Sequence, residues 1–132
     1  MREFDQETIG LIAAFEKLTG TEVRDCIRND AIYFLVNPGK AAAAIGKGGQ
    51  NVQNAESVLR KPIKVYEWAE NEEQFLRNMI SGVKKLEISG EKAIVTVDTK
   101  ERGAVIGKGG SNINAIRELL SRNSRIKELK IL

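Results

Sequence analysis

Ile45-Gly46-Lys47-Gly48-Gly49 recurs 61 residues later as Ile106-Gly107-Lys108-Gly109-Gly110. Each copy follows a short Ala/Val-rich stretch and precedes apolar residues at helical spacing, so the duplication extends past the five residues. Glycine has no Cβ and tolerates φ/ψ values closed to other residues, so a Gly-rich turn between two helices lets the backbone approach an anion closely. The N–H groups that open the second helix lack intrahelical partners, and its dipole favours negative charge. Lys47 and Lys108 add a mobile cation at the same place. Two such turns in 132 residues point to a ligand with repeated charges, and a nucleic-acid strand is one.

Working outward, the two halves align at the offset of 61. Ile32, Phe34 and Val36 alternate as a strand does, and Ala93, Val95 and Val97 hold the matching positions. Asn37 and Asp98 then stand as helix N-caps, with Pro38 at a first helical position. Short helices are expected over Pro38–Ala44 and Thr99–Val105, ending at the glycine turns. The second helices carry apolar stripes of Val52, Ala55, Val58 and Leu59, and of Ile113, Ile116, Leu119 and Leu120. Closing strands are expected at Ile63–Trp68 and Ile126–Leu132, the alignment slipping by two residues between them.

Ahead of each core lie an amphipathic helix and a strand. Leu11, Phe15 and Leu18 mark the first helix. Asn71 with Gln74 resembles a capping box before the second, whose stripe is Phe75, Leu76, Met79, Ile80 and Val83. Strands follow near Glu22–Arg28 and Lys84–Ile88, with turns at Asp30 and at Ser89-Gly90-Glu91. The expectation is an α+β chain of two units, 1–69 and 70–132, each α-β-β-α-α-β with a three-stranded sheet and helices on one face. The connection, about Ala69–Asn71, is too short for independent tumbling.

Composition narrows the function. Formal charge is +3, unevenly spread: residues 1–70 hold nine Lys/Arg against ten Asp/Glu, and residues 71–132 hold twelve against eight. The second unit is therefore the more attractive to polyanions. Histidine is absent, which removes the usual general base and the commonest transition-metal ligand. Cys26 is the only cysteine, so no internal disulfide or thiolate cluster can form. Gly103-Ala104-Val105-Ile106-Gly107-Lys108-Gly109 has three residues between its outer glycines where a Walker loop has four, and Gly109 replaces the magnesium-binding Ser/Thr. The dinucleotide fingerprint fails because Asn51 and Asn112 occupy its last glycine position. No enzyme activity, metal or cofactor is expected.

The repeated Ile-Gly-x-x-Gly-x-x-(Ile/Val), with these flanking elements, resembles the KH domain, whose GxxG loop clamps about four backbone nucleotides. The helix–strand–strand lead-in resembles the type II arrangement. Two closely joined units resemble the tandem KH region of NusA and the short archaeal NusA-like transcription termination and antitermination factors. The flanking polymerase-binding and S1 domains of bacterial NusA have no counterpart in these residues. The resemblance implies single-stranded RNA contacts at Gly46, Lys47, Gly48 and Gly49, and at Gly107, Lys108, Gly109 and Gly110; Asn51 and Asn112, early in the second helices, are read as further RNA contacts from their position. It implies base contacts at Ile45 and Val52, and at Ile106 and Ile113. Small apolar walls at Ala43 and Ala104 complete the groove.

Asn51 and Asn112 also suit capping or solvent contact, and the isoleucines also suit a core. Arg60, Lys61, Lys64, Arg122, Arg125, Lys127 and Lys130 read as solvated faces, some of them extending an electrostatic track. Tyr33, Tyr66 and Trp68 offer stacking surfaces, with packing between the units the safer reading for Trp68. Other partners implied are RNA polymerase or ribosomal components. A protein-interaction scaffold and a single-stranded DNA binder are the alternatives. The start, Met1-Arg2-Glu3-Phe4-Asp5, has no signal-peptide core, and no apolar run reaches the ~20 residues of a membrane span. A cytoplasmic monomer is expected.

Overall fold

The computed structural model describes residues 4–132. Met1–Glu3, the first three residues of the expected unit 1–69 and of the start read for a signal-peptide core, lie outside the described residues. The chain divides into two compact units between Glu67 and Trp68. The first runs α1 (Gln6–Thr19), β1 (Val23–Arg28), β2 (Ile32–Val36), α2 (Ala41–Ile45), α3 (Gln50–Leu59), β3 (Ile63–Glu67). The second repeats the order with α4 (Glu72–Met79), β4 (Val83–Ser89), β5 (Lys92–Val97), α5 (Thr99–Ile106), α6 (Ser111–Asn123), β6 (Glu128–Ile131). This is the α+β, α-β-β-α-α-β architecture expected.

Each unit holds a three-stranded sheet, β1-β2-β3 or β4-β5-β6. The first pair is antiparallel and the second parallel. A parallel neighbour cannot be reached by a hairpin, so the α2–α3 and α5–α6 segments act as crossovers. That topology places a glycine turn in the middle of each crossover. Both first strands also bulge at one residue, Arg24 in β1 and Lys84 in β4.

In the N-terminal unit the core clusters Phe15, Cys26, Ile32, Phe34, Val36, Ala44, Ala55 and Ile63. Phe15 and Phe34 stack with ring centroids 4.0 Å apart, joining α1 to the central strand. Tyr33 and Leu35 alternate onto the opposite sheet face yet are also buried, and Tyr33 stacks on Tyr66. In β5 the alternation persists: Ala93, Val95 and Val97 are buried, Ile94 and Thr96 only partly.

Several local expectations are corrected. Val58 is 60% exposed, because Val52, Ala55 and Leu59 supply the stripe that packs on the core. Leu18 is also exposed, and Leu11 and Ile12 pack beside Phe15 instead. Helix α2 starts at Ala41, not Pro38, since Pro38 and Gly39 form a turn. Asn37 is not its cap: its side chain accepts from Arg24 at 3.1 Å, and Glu67 of β3 accepts the Ala41 N–H at 3.1 Å. Asp98 does cap α5, accepting from Lys100 N–H at 3.1 Å, and Asn71 caps α4, accepting from Gln74 N–H at 2.9 Å. Helix α4 stops at Met79, and Val83 begins β4, because Gly82 turns the chain at φ +69°.

The slip between the closing strands is larger than two residues. Ile32 pairs with Ile63, 31 positions on, whereas its counterpart Ala93 pairs with Leu129, 36 positions on. The difference is five. Three of these residues lengthen α6, which runs to Asn123 and past the counterpart of the last residue of α3. Glu56 and Arg117, equivalent at the offset of 61, compensate with opposite charge. Glu56 accepts the Ile63 N–H at 3.0 Å, and Arg117 donates to the Leu129 carbonyl at 3.2 and 3.3 Å. Each side chain matches the backbone group its strand presents.

Two expectations follow. Truncating Phe15 to Ala removes a fully buried ring and should cost about 3–5 kcal/mol, read as a large fall in denaturant midpoint with the α4–β6 half less affected. Asp5 caps α1 by accepting the Thr8 N–H at 2.7 Å, and its Oδ2 lies 3.1 Å from Arg28. The Thr8 bonds, then the nearby guanidinium, hold its carboxyl below the ordinary value. A depressed folded pKa stabilises above the unfolded value of about 3.9 and loses that contribution as pH falls below it. Melting curves of parent and Asp5→Ala should therefore differ at pH 7 and converge towards pH 2.

Candidate nucleic-acid interface

Each glycine turn is a single tight 3₁₀ turn between two helices, Lys47–Gly49 or Lys108–Gly110. Gly46 has φ/ψ of 81°/167° and Gly107 76°/171°. Gly48 and Gly109 adopt 62°/21° and 61°/19°, and Gly49 and Gly110 77°/13° and 79°/10°. Three positive-φ residues among four explain the glycine content, since an L side chain costs roughly 1–2 kcal/mol there. The copies agree to within a few degrees, so the repeat in sequence is a repeat in shape.

The hydrogen bonds also repeat. Gly46 N–H donates to Ala42 O and Gly107 N–H to Gly103 O, both at 2.9 Å. Gly49 N–H donates to Gly46 O and Gly110 N–H to Gly107 O, both at 3.1 Å. The next amide closes the turn on the lysine carbonyl. None of these bonds uses the amides of Lys47 and Gly48, or of Lys108 and Gly109. Those four residues are exposed, and a Cβ added at Gly48 or Gly109 would meet nothing within 4 Å. The tip of each turn is thus open backbone beside an exposed lysine. It can receive an anionic oxygen at close range.

The other expected residues divide. Ile45 is 37% exposed, Ala43 and Ala104 are exposed, and Ile106 and Val52 are partly so; these leave apolar surface beside the turns. Ile113 and Asn112 are only 5% and 4% exposed, so both face inward. Asn51 and Asn112 donate to carbonyls of the preceding helices, Ala43 O at 2.9 Å and Val105 O at 2.8 Å. Gly46, Gly49, Gly107 and Gly110 are partly buried.

Much of the expected basic track serves the fold. Lys127 donates to Ser121 O and Ser124 O at the end of α6, where a cation opposes the helix dipole. Arg122 pairs with Glu118 and Arg125 with Glu72. Lys61 donates to Asn29 O. Lys64 sits 5.9 Å from the Tyr33 ring centroid, and burial lowers its pKa. Trp68 donates to Asn123 O at 2.9 Å, within the C-terminal unit. The sequence reading passed over Lys100 and Arg102, both exposed on α5 in the turns leading to the second loop. Their position on that short helix was the available signal. Among the described residues, no helix is long and apolar enough to cross a membrane.

Comparison with known proteins agrees with this geometry. The KH domain family matches twice, over residues 11–70 and 64–131. A protein of Methanocaldococcus jannaschii named "Probable transcription termination protein NusA" is 31% identical over 96% of this chain and 73% of its own length. Proteins of the same name from Methanococcus vannielii and Thermoplasma acidophilum are 34% and 31% identical, covering 98% and 96% of this chain and 79% and 93% of theirs. A solved structure described as "Crystal structure of APE1850" superposes with a TM-score of 0.75 at 29% identity, covering 98% of this chain and all of that one. With two KH matches along its length and these relatives nearly end to end, the chain belongs to the KH-domain family, as a tandem member of its NusA-like group.

Proposed function

We propose that this chain binds single-stranded RNA through both Gly-Lys-Gly-Gly turns and acts in transcription termination or antitermination. One observation carries the reading: two turns of the same φ/ψ, each with an exposed lysine and an open glycine at its tip. A phosphodiester strand repeats the same group along its length, so identical cradles suit successive stretches of it. The family supports RNA as the ligand, and the names of the relatives support the transcriptional role. Within the Gly46–Gly49 and Gly107–Gly110 turns, the lysine side chains and the open amides of Lys47, Gly48, Lys108 and Gly109 hold phosphate. Ile45, Val52 and Ile106 offer the apolar surface for bases, while Asn51, Asn112 and Ile113 act from beneath. RNA polymerase is the expected protein partner, and ribonuclease treatment of a pull-down separates direct contact from RNA bridging.

Substituting Lys47 and Gly48 with Asp, or Lys108 and Gly109 likewise, places carboxylates where phosphate would lie. Each pair should weaken RNA binding about tenfold or more while leaving circular dichroism unchanged, because the tips are exposed. Parent-like affinity in the fourfold variant, in a filter-binding or gel-shift titration, would refute the clamp.

The second loop should matter more, given Lys100 and Arg102 beside it and the excess positive charge of residues 71–132. Salt dependence gives the finer readout. The slope of log affinity against log salt should fall by about 0.7 for each phosphate contact removed. A slope that is the same in parent and fourfold variant would contradict phosphate contact. Competition with a DNA oligomer of matched sequence tests the preference for RNA.

A further inference from the structure

We infer that Asn51 and Asn112 are positioning residues: each latches its glycine turn in the phosphate-holding shape without touching RNA. The inference deepens the proposed function and rests on it for the nature of the ligand. Two observations recur in both units, the side-chain bond to the preceding helix and the fit of the first glycine, although the bonded carbonyls are one position out of register, Ala43 in one unit and Val105, the counterpart of Ala44, in the other. The Asn51 amide donates to Ala43 O at 2.9 Å and the Asn112 amide to Val105 O at 2.8 Å. These carbonyls lie in the last turn of α2 and α5, where helix carbonyls lack intrahelical partners. Each asparagine thus stitches the helix after the turn to the helix before it.

The first glycine of each motif is built around that stitch. A Cβ at Gly46 would stand 2.8 Å from Asn51 Cγ and 2.9 Å from its backbone nitrogen. One at Gly107 would stand 2.7 Å from Asn112 Cβ and 2.8 Å from its nitrogen. Gly48 and Gly109, by contrast, face open space. The motif therefore splits its labour. Gly46 and Gly107 admit the asparagine, and Gly48 and Gly109 admit the ligand. Burial of Asn112 at 4% exposure fits a latch and leaves little surface for a strand. The stitch favours one geometry of the turn before RNA arrives, which lowers the cost of ordering it at binding.

The test uses the full chain labelled with nitrogen-15, with Asn51→Ala and Asn112→Ala made singly. In the free protein each substitution should shift and broaden the amide signals of its own loop, Gly46–Gly49 or Gly107–Gly110, and leave core amides such as those of Val36 and Val97 in place. Affinity for a mixed-sequence single-stranded RNA oligomer should drop about three- to tenfold per loop, the scale of one net hydrogen bond. Unchanged loop signals in the free variants would overturn the inference. If affinity still fell in that case, the asparagine would be a direct RNA contact. Loosened loops with parent affinity would overturn it equally. Should Asn112→Ala fail to fold, Asn51→Ala decides, since Asn51 is partly exposed. If the parent chain does not bind the RNA, the functional reading fails, while the free-protein signals still decide whether the latch exists.

Discussion

Joining two helices across a turn of three residues while leaving the space above its tip open is the constraint on which each unit is built. A turn that tight needs left-handed backbone at Gly48 and Gly49, and at Gly109 and Gly110. It also brings the two helices so close that Gly46 and Gly107 have no room for a Cβ. Glycine answers both demands, and the asparagine that follows bonds the second helix to the first. The sheet serves the same end. A parallel third strand requires a crossover, and each glycine turn lies within that crossover, with its tip exposed.

Charge is applied locally. The formal excess is only +3, and several cations far from the turns are engaged with carbonyls and carboxylates of the fold. Lys127 finishes α6, Arg28 ties β1 to the start of α1 through Asp5 and Glu7, and Arg117 fastens β6. Lys47 and Lys108 stand exposed at the tips. These two ammonium groups would give a ligand two places to be held, beside other exposed cations such as Arg60, Lys100, Arg102 and Lys130. Broad basic coverage would attract any polyanion, duplex included.

Most of the architecture was legible in the sequence because the duplication made each half a check on the other. The glycine motif, the alternation of Ile32, Phe34 and Val36, and the Asn71 and Asp98 caps all carry their physics locally. The misses came from tertiary choices. Asn37 looks like a cap but is drawn to Arg24, because Pro38 and Gly39 delay α2 and a carboxylate from β3, Glu67, is at hand to cap it. Val58 fits a helical stripe by spacing, yet the helix rotates so that Val52, Ala55 and Leu59 face inward. The five-residue slip of the last strand depends on how far α6 extends, which no short-range pattern states. Within the site, the open glycines and lysines were readable from residue type. Ile113 was marked for the core by the stripe it shares with Ile116, Leu119 and Leu120, but the inward turn of the polar Asn112 was not, because it depends on how α6 packs.

Two equal cradles on successive crossovers lead to one central claim, that the anionic backbone of RNA lies in both. Amide chemical-shift mapping of the full chain, titrated with a single-stranded RNA long enough to reach both turns, tests it most directly. The account predicts the largest shifts at Lys47, Gly48, Lys108 and Gly109, saturating together. Shifts centred elsewhere, with those four amides unmoved at saturation, would contradict it.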